Sequence, residues 1–265
     1  MIYLLRFLLI ITPLYLGWSG GSTARAEVLK IAAIDWCPQV CPNDLRQGYV
    51  VDTVKEIFAG SPFELEINIY SWVHAIELTR SGKAHALLSP ARSEAPGLLF
   101  PDEGVGTQKM CFFVSRESDW RYIGEDSLQN QRIGVISGGS IEELNDYMSK
   151  HQENFYINSY TAKYVPLSAR MVEKKRLDSF IFTLNSTLYE LKKAQLSERI
   201  KTAGCVSTAK IYMAFSPDAT QGDLIQRAMA LFDQRMSEMI AQGRITSIMG
   251  SYGLADWKSG DKTIF

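Results

Sequence analysis

Asp35 and Trp36 stand side by side just before Cys37-Pro38, pairing a carboxylate with a large aromatic face. A tryptophan at such a loop can stack on a flat or cationic ligand for roughly 0.5 to 2 kcal/mol, or it can pack the loop against the core. Asp35 can accept a hydrogen bond from an amine or hydroxyl, and it suits a turn equally well. Ser89-Pro90-Ala91-Arg92 adds a hydroxyl and a guanidinium, the latter able to clamp a carboxylate through two parallel hydrogen bonds or to sit solvated on the surface. Ser137-Gly138-Gly139-Ser140 follows the apolar run Ile133-Gly134-Val135-Ile136, so a strand end leads into a helix whose first N–H groups form a seat for an anion. Ser140 could equally be an ordinary helix cap. All of this is binding chemistry. The candidates for a general acid or base are Asp35 and Glu94, and neither has a partner constellation. No phosphate loop of the Gly-x4-Gly-Lys-Ser/Thr type occurs, and His74, His85 and His151 are scattered. The expectation is a protein that is not an enzyme and carries no cofactor and no metal.

The elements that must position these groups alternate in type. Residues 28–34 read as a buried strand, 48–60 as a helix starting near Asp52, 63–70 as a strand, and 72–81 as a helix that Ser71 could cap and Gly82 stops. Residues 84–88 return as a strand, which puts Ser89 to Arg92 beyond its carboxyl end, where ligands of open α/β sheets bind. Breaks at Ala95-Pro96-Gly97 and over 101–106 precede a second series: strands over 109–115 and 133–136, a helix over 141–150, and strands over 180–182 and 211–215. A long amphipathic helix over 224–242, ended by Gly243, and a short one over 245–252 follow. Two such series predict an α/β fold of two units with a ligand cleft between them.

Residues 1–26 combine Arg6, an apolar run over 7–16 interrupted by Thr12 and Pro13, and the small-residue end Ala24-Arg25-Ala26. That pattern predicts a secretory signal cleaved before Glu27, and hence a periplasmic protein. The run is shorter than the roughly 20 apolar residues of a spanning helix, and no cysteine follows it to carry a lipid anchor. The formal net charge of −1, with no tract of Lys and Arg interleaved with aromatics, speaks against nucleic acid as a partner. All four cysteines, Cys37, Cys41, Cys111 and Cys205, lie beyond the signal, and an even number in an oxidising compartment favours disulfides. Cys37 and Cys41 close a tight loop and are the expected pair; if they join, Cys111 and Cys205 are left for each other. A metal at Cys-x3-Cys is the weaker reading, because no histidine stands nearby.

Several stretches, in this order, resemble the bacterial extracellular solute-binding proteins of family 3, the polar amino-acid-binding type. They are Gly48-Tyr49-Val50-Val51-Asp52 through Ile57-Phe58, Trp72 through Gly82-Lys83-Ala84-His85-Ala86, and Ile133-Gly134-Val135 with the turn at 137–140. Lys175-Arg176-Leu177-Asp178 and Gln242-Gly243 to Tyr252 complete the set, which covers nearly all of the chain after the signal. The resemblance implies a two-lobed, type II periplasmic-binding fold, with residues 27–110 and 211–265 in one lobe and 111–210 in the other. Two crossing strands near 107–111 and 205–210 would join the lobes and bring Cys111 and Cys205 onto adjacent antiparallel strands. It also implies ligand contacts at Asp35, Trp36, Trp72, Ser89, Arg92, the 137–140 turn, Thr183 and Asn185, closure about the hinge, a monomeric state, and delivery of a small-molecule ligand to an ABC-type membrane importer. The alternatives are a sensory binding protein serving a membrane receptor and, from a different class, an enzyme of the dehydratase type known on this fold. The sequence departs from the family at its charged anchors. Glu94 stands where the carboxylate-binding arginine is usual, with Arg92 shifted beside it, Thr183 replaces the aspartate that holds an ammonium group, and Gly139 replaces a threonine. The ligand expected is a small polar solute, amino-acid-like or a small organic acid.

Overall fold

In the computed structural model the described residues are 26–136, 141–158 and 163–257, so the predicted signal and the Ser137-Gly138-Gly139-Ser140 turn lie outside them. The strand β1 (Glu27–Ala33) alternates two apolar faces: Leu29, Ile31 and Ala33 enter one buried cluster and Ala32 another. A strand buried on both faces belongs inside a sheet, and β1 lies between β2 (Phe63–Ile69) and β3 (Ala86–Leu88), parallel to both. The helices α1 (Tyr49–Phe58) and α2 (Trp72–Arg80) make the two crossovers and pack on opposite faces of this sheet. Gly48, with φ 105°, precedes α1 in place of the start expected near Asp52, and Ser71 precedes α2 without a side-chain capping bond.

The chain then enters a second sheet. Its strands are β4 (Gly106–Ser115), β5 (Ile133–Ile136), β6 (Phe155–Asn158), β7 (Ser179–Thr183) and β8 (Ile200–Ile211), in the spatial order β6-β5-β7-β4-β8. Alternation along β4 again divides two cores. Cys111 and Phe113 pack with α4 (Tyr164–Glu173) and α5 (Leu184–Lys193). Phe112 and Val114 pack on the other face with Leu128, Leu144 and the Tyr147 ring of α3 (Asn145–Lys150). The helix expected over 141–150 is thus shorter, preceded by a tighter turn over Glu142–Leu144. Lys175-Arg176-Leu177-Asp178 serves the sheet itself: Asp178 accepts from the backbone N, Nε and Nη2 of Arg132, tying the start of β7 to the start of β5.

The chain returns to the first sheet through β9 (Met213–Phe215), antiparallel to β3, giving the order β2-β1-β3-β9. The helices α6 (Gly222–Ala241) and α7 (Arg244–Ser251) then pack with α1 on the face bearing Ile31. The two sheets, each with its own buried clusters, form two lobes. Between them run the antiparallel β4 and β8, pairing Gly106 with Ile211, Thr107 with Lys210 and Cys111 with Cys205. Disulfides join Cys111 to Cys205, whose Cα atoms lie 3.8 Å apart, and Cys37 to Cys41.

Candidate functional site

The carboxyl ends of β1 and β3 point the same way, because the two strands are parallel neighbours, and both deliver candidate residues to the junction of the lobes. The loop after β1 carries Asp35 and Trp36. Its backbone is pinned by reciprocal bonds, Trp36 N to Val40 O at 2.9 Å and Val40 N to Trp36 O at 3.0 Å, and the Cys37–Cys41 disulfide spans the same turn. Trp36 is half-buried and Asp35 exposed. Trp72, at the start of α2, packs against the cluster that contains Ala32 and Ala75.

After β3, Ser89 adopts φ 68° and its N–H bonds to Tyr212 O, one residue beyond the Gly106–Ile211 pair. The Arg92 guanidinium lies 4.9 Å from the Phe100 ring centre and 4.7 Å from that of Tyr212, and its Nη2 donates to Pro101 O at 3.1 Å. Glu94 folds back to accept from Ala91 N at 2.8 Å, and the Gln108 side chain of β4 stands near the same carboxyl group. Burial raises the Glu94 carboxyl above its ordinary range.

The second lobe contributes the end of β7 and the first turns of α5. Thr183 and Thr187 are buried, and neither hydroxyl has a hydrogen-bond partner; the same holds for Ser89 Oγ and Gln108 Oε1. Asn185 stands beside the buried Tyr49 hydroxyl, which burial pushes well above the usual range. Buried polar atoms in native proteins nearly always find partners, so the unpartnered Ser89 and Thr183 hydroxyls at strand ends are places where a ligand or water can bond.

Contacts that sequence reasoning missed close the lobes on one another. Ser186 Oγ donates to Gln39 Oε1 at 3.4 Å, Tyr189 Oη donates to Asp44 Oδ2 at 2.8 Å, and Lys193 Nζ reaches the same oxygen at 3.5 Å. Loss of surrounding water and the neighbouring Asp44 charge raise the Asp35 carboxyl, with Lys193 opposing; Glu190, on the same helix, is raised chiefly by burial. The loop that bears Asp44 is braced from the far end of the chain: Gly48 N donates to Tyr252 Oη, that hydroxyl donates to Asp52 at 2.6 Å, and Arg46 lies over the Tyr252 ring and bonds Ser251.

Replacing Asp44 with alanine should remove the acceptor shared by Tyr189 and Lys193 at a cost of about 1 kcal/mol to the closed arrangement, given their partial exposure. Small-angle scattering of the ligand-free variant should then give a larger radius of gyration than wild type. An unchanged radius would show that this contact does not hold the lobes together.

No family model matches the sequence, and no curated protein matches it closely enough to count. Solved structures do match. A protein of glutathione import in Streptococcus mutans superposes with TM-score 0.69 at 18% identity, over 87% of this chain and 96% of its own. A probable amino-acid ABC transporter extracellular-binding protein of Bacillus subtilis gives 0.64 at 18% identity, over 86% and 98%. A histidine kinase sensor domain with similarity to periplasmic binding proteins gives 0.68 at 14% identity, over 88% and 99%. This chain has the periplasmic-binding-protein fold.

β4 and β8 run between the two lobes, and the strand ends described above lie on the sheets they join. Two surface hollows of about 300 and 250 Å³ lie elsewhere, flanking β2: one is lined by Val51, Lys55 and Ile67, the other by Glu66, Tyr70 and Lys83. Neither includes a candidate residue, so the cleft and not the larger hollow is the candidate site. Asp44, Gln39, Tyr189 and Gln108 gave no signal in the sequence, since only the approach of distant segments gives them meaning. Tyr49 lay within a recognised motif, yet its hydroxyl at the junction was not anticipated.

Proposed function

We propose that this protein is an exported solute-binding protein that captures a small polar molecule between its lobes and hands it to an ABC-type membrane importer. The observation that carries this reading is the pair of buried, unpartnered hydroxyls at strand ends, Ser89 from one lobe and Thr183 from the other. A ligand touching both sides stabilises the closed form over the open one, which is the physical basis of capture. The lobes are assigned as residues 27–110 with 211–265, and 111–210, with the signal removed before Glu27 and the mature protein a periplasmic monomer. No helix among the described residues is long and apolar enough to cross a membrane. Asp35, Trp36, Trp72, Ser89, Arg92, Thr183, Asn185 and residues 137–140 are assigned as ligand contacts. The resemblance to a histidine kinase sensor domain favours a second reading, in which the same closure is reported to a receptor.

A thermal-shift screen against amino acids, amines, small organic acids and sugars tests the binding reading. A ligand present at 100 times its dissociation constant should add about 2.7 kcal/mol of stability, and Trp36→Ala should abolish most of the shift. Chemical conversion of the ligand would replace the binding reading with an enzymatic one. Uptake of labelled ligand, lost when the protein is deleted, separates importer from receptor.

A further inference from the structure

The unpartnered polar groups are two hydroxyls, Ser89 Oγ and Thr183 Oγ1, which can accept or donate, and one amide oxygen, Gln108 Oε1, which accepts. Gln108 stands near Glu94, and its Oε1 is buried without a partner. Thr183 pairs with Met110 across β7 and β4, so it shares a sheet face with Gln108 two residues along. Ser89, 1% exposed, is fastened beside the Gly106–Ile211 end of the same hinge pair. Thr183 and Gln108 thus share a face of β4, Ser89 is fastened by its backbone beside the start of that strand, and Glu94 stands near Gln108. Arg92 is stacked over Phe100 and Tyr212 and bonds Pro101, and Lys193 pairs with Asp44, so neither cation is paired with Glu94. A carboxylate brought into this site would face Glu94, whereas a cation would neutralise it.

We propose that the cleft selects a small organic cation, an alkyl amine or guanidine without a carboxylate, with Glu94 supplying the opposing charge and Ser89, Thr183 and Gln108 accepting its N–H groups. The proposal rests on the binding reading above and narrows its ligand to one chemical class. Glu94, half-buried and bonded on one oxygen to Ala91 N, has its ionised form disfavoured without a counter-charge, and a bound cation restores it.

Two matched pairs of probes differ only by the carboxylate: agmatine against arginine, and putrescine against ornithine. Titration calorimetry should show at least one amine binding ~10-fold or more tighter than its amino-acid counterpart. Glu94→Gln should weaken amine binding by about 30-fold or more, because the ligand charge then enters the site unpaired. Thr183→Ala should weaken it several-fold and carries the test if the Glu94 variant does not fold. Equal or tighter binding of arginine and ornithine overturns the proposal and leaves the binding reading standing, as does a response only to sugars or organic acids in the wider screen. Amine binding unchanged by both substitutions overturns it too. No response to any compound overturns both readings together.

Discussion

Gly48→Ala is expected to cost at least ~3 kcal/mol of stability, read as a lowered urea midpoint with an unchanged slope. Gly48 combines φ 105° with a backbone approach that leaves no room for a side chain: a Cβ there would lie 2.3 Å from Gln39 O and 2.6 Å from Gln39 C. The neighbouring chain cannot simply give way. Tyr49 N bonds Pro38 O, Val50 N bonds Gln39 O, and Gly48 N bonds the Tyr252 hydroxyl. Gly60 provides the control, since it also has positive φ, 64°, but nothing lies within 4 Å of its would-be Cβ. Gly60→Ala should therefore cost only about 1 to 2 kcal/mol. Equal losses for the two variants would refute the close approach at Gly48. Gln39 and Asp44 sit on the displaced loop, so the Gly48 variant should also bind ligand more weakly.

Serine at both Cys111 and Cys205 should lower stability by about 3 to 5 kcal/mol and the melting temperature by on the order of 10 °C. The bond closes a loop of sequence separation 94, encompassing most of the second lobe, so its removal frees a large number of unfolded conformations. The Cys37–Cys41 bond, with a separation of 4, restricts far fewer, and its replacement should cost about half as much. Calorimetry of the two double variants compares them directly. A larger loss from the short loop would mean that the bond at the junction of the lobes acts mainly through native contacts.

The parts of this fold that could be read in advance are those whose burial is two-sided or strongly periodic. Residues 133–136 and 28–34 are nearly continuous apolar runs, as central parallel strands require, and both became strands within a residue or so of the expected bounds. β8 was read only at its far end, because it lies at a sheet edge and alternates Thr, Gly, Ser and Lys through a half-exposed pattern. The helices α4 and α5 and the short edge strand β6 gave no clear period, since polar residues interrupt the buried stripe, as Asn185, Ser186 and Thr187 do at the start of α5. That 107–111 and 205–210 form adjacent antiparallel strands followed from the family resemblance, and β4 and β8 pair Thr107 with Lys210 and Cys111 with Cys205, with register shifts on either side of Cys111. The site divides in the same way. Asp35, Trp36, Ser89 and Thr183 were legible as candidates because they end or follow strands. Asp44 and Tyr189 were not, being 145 residues apart in sequence.

The return of β9, α6 and α7 to the first sheet sets an order for assembly. All the strands of the second sheet lie between residues 106 and 211, so that lobe is continuous and can complete itself as soon as its own segment is available. The first lobe must wait: until residues 213–215 arrive, the apolar edge Ala86-Leu87-Leu88 has no antiparallel neighbour, and until α6 and α7 dock, the face bearing Ile31, Val54 and Phe58 stays wet. A chain emerging amino end first therefore carries its earliest-made strands unfinished for nearly the whole of its synthesis. Those strands, and not the later-made lobe, are the segment most in need of a chaperone.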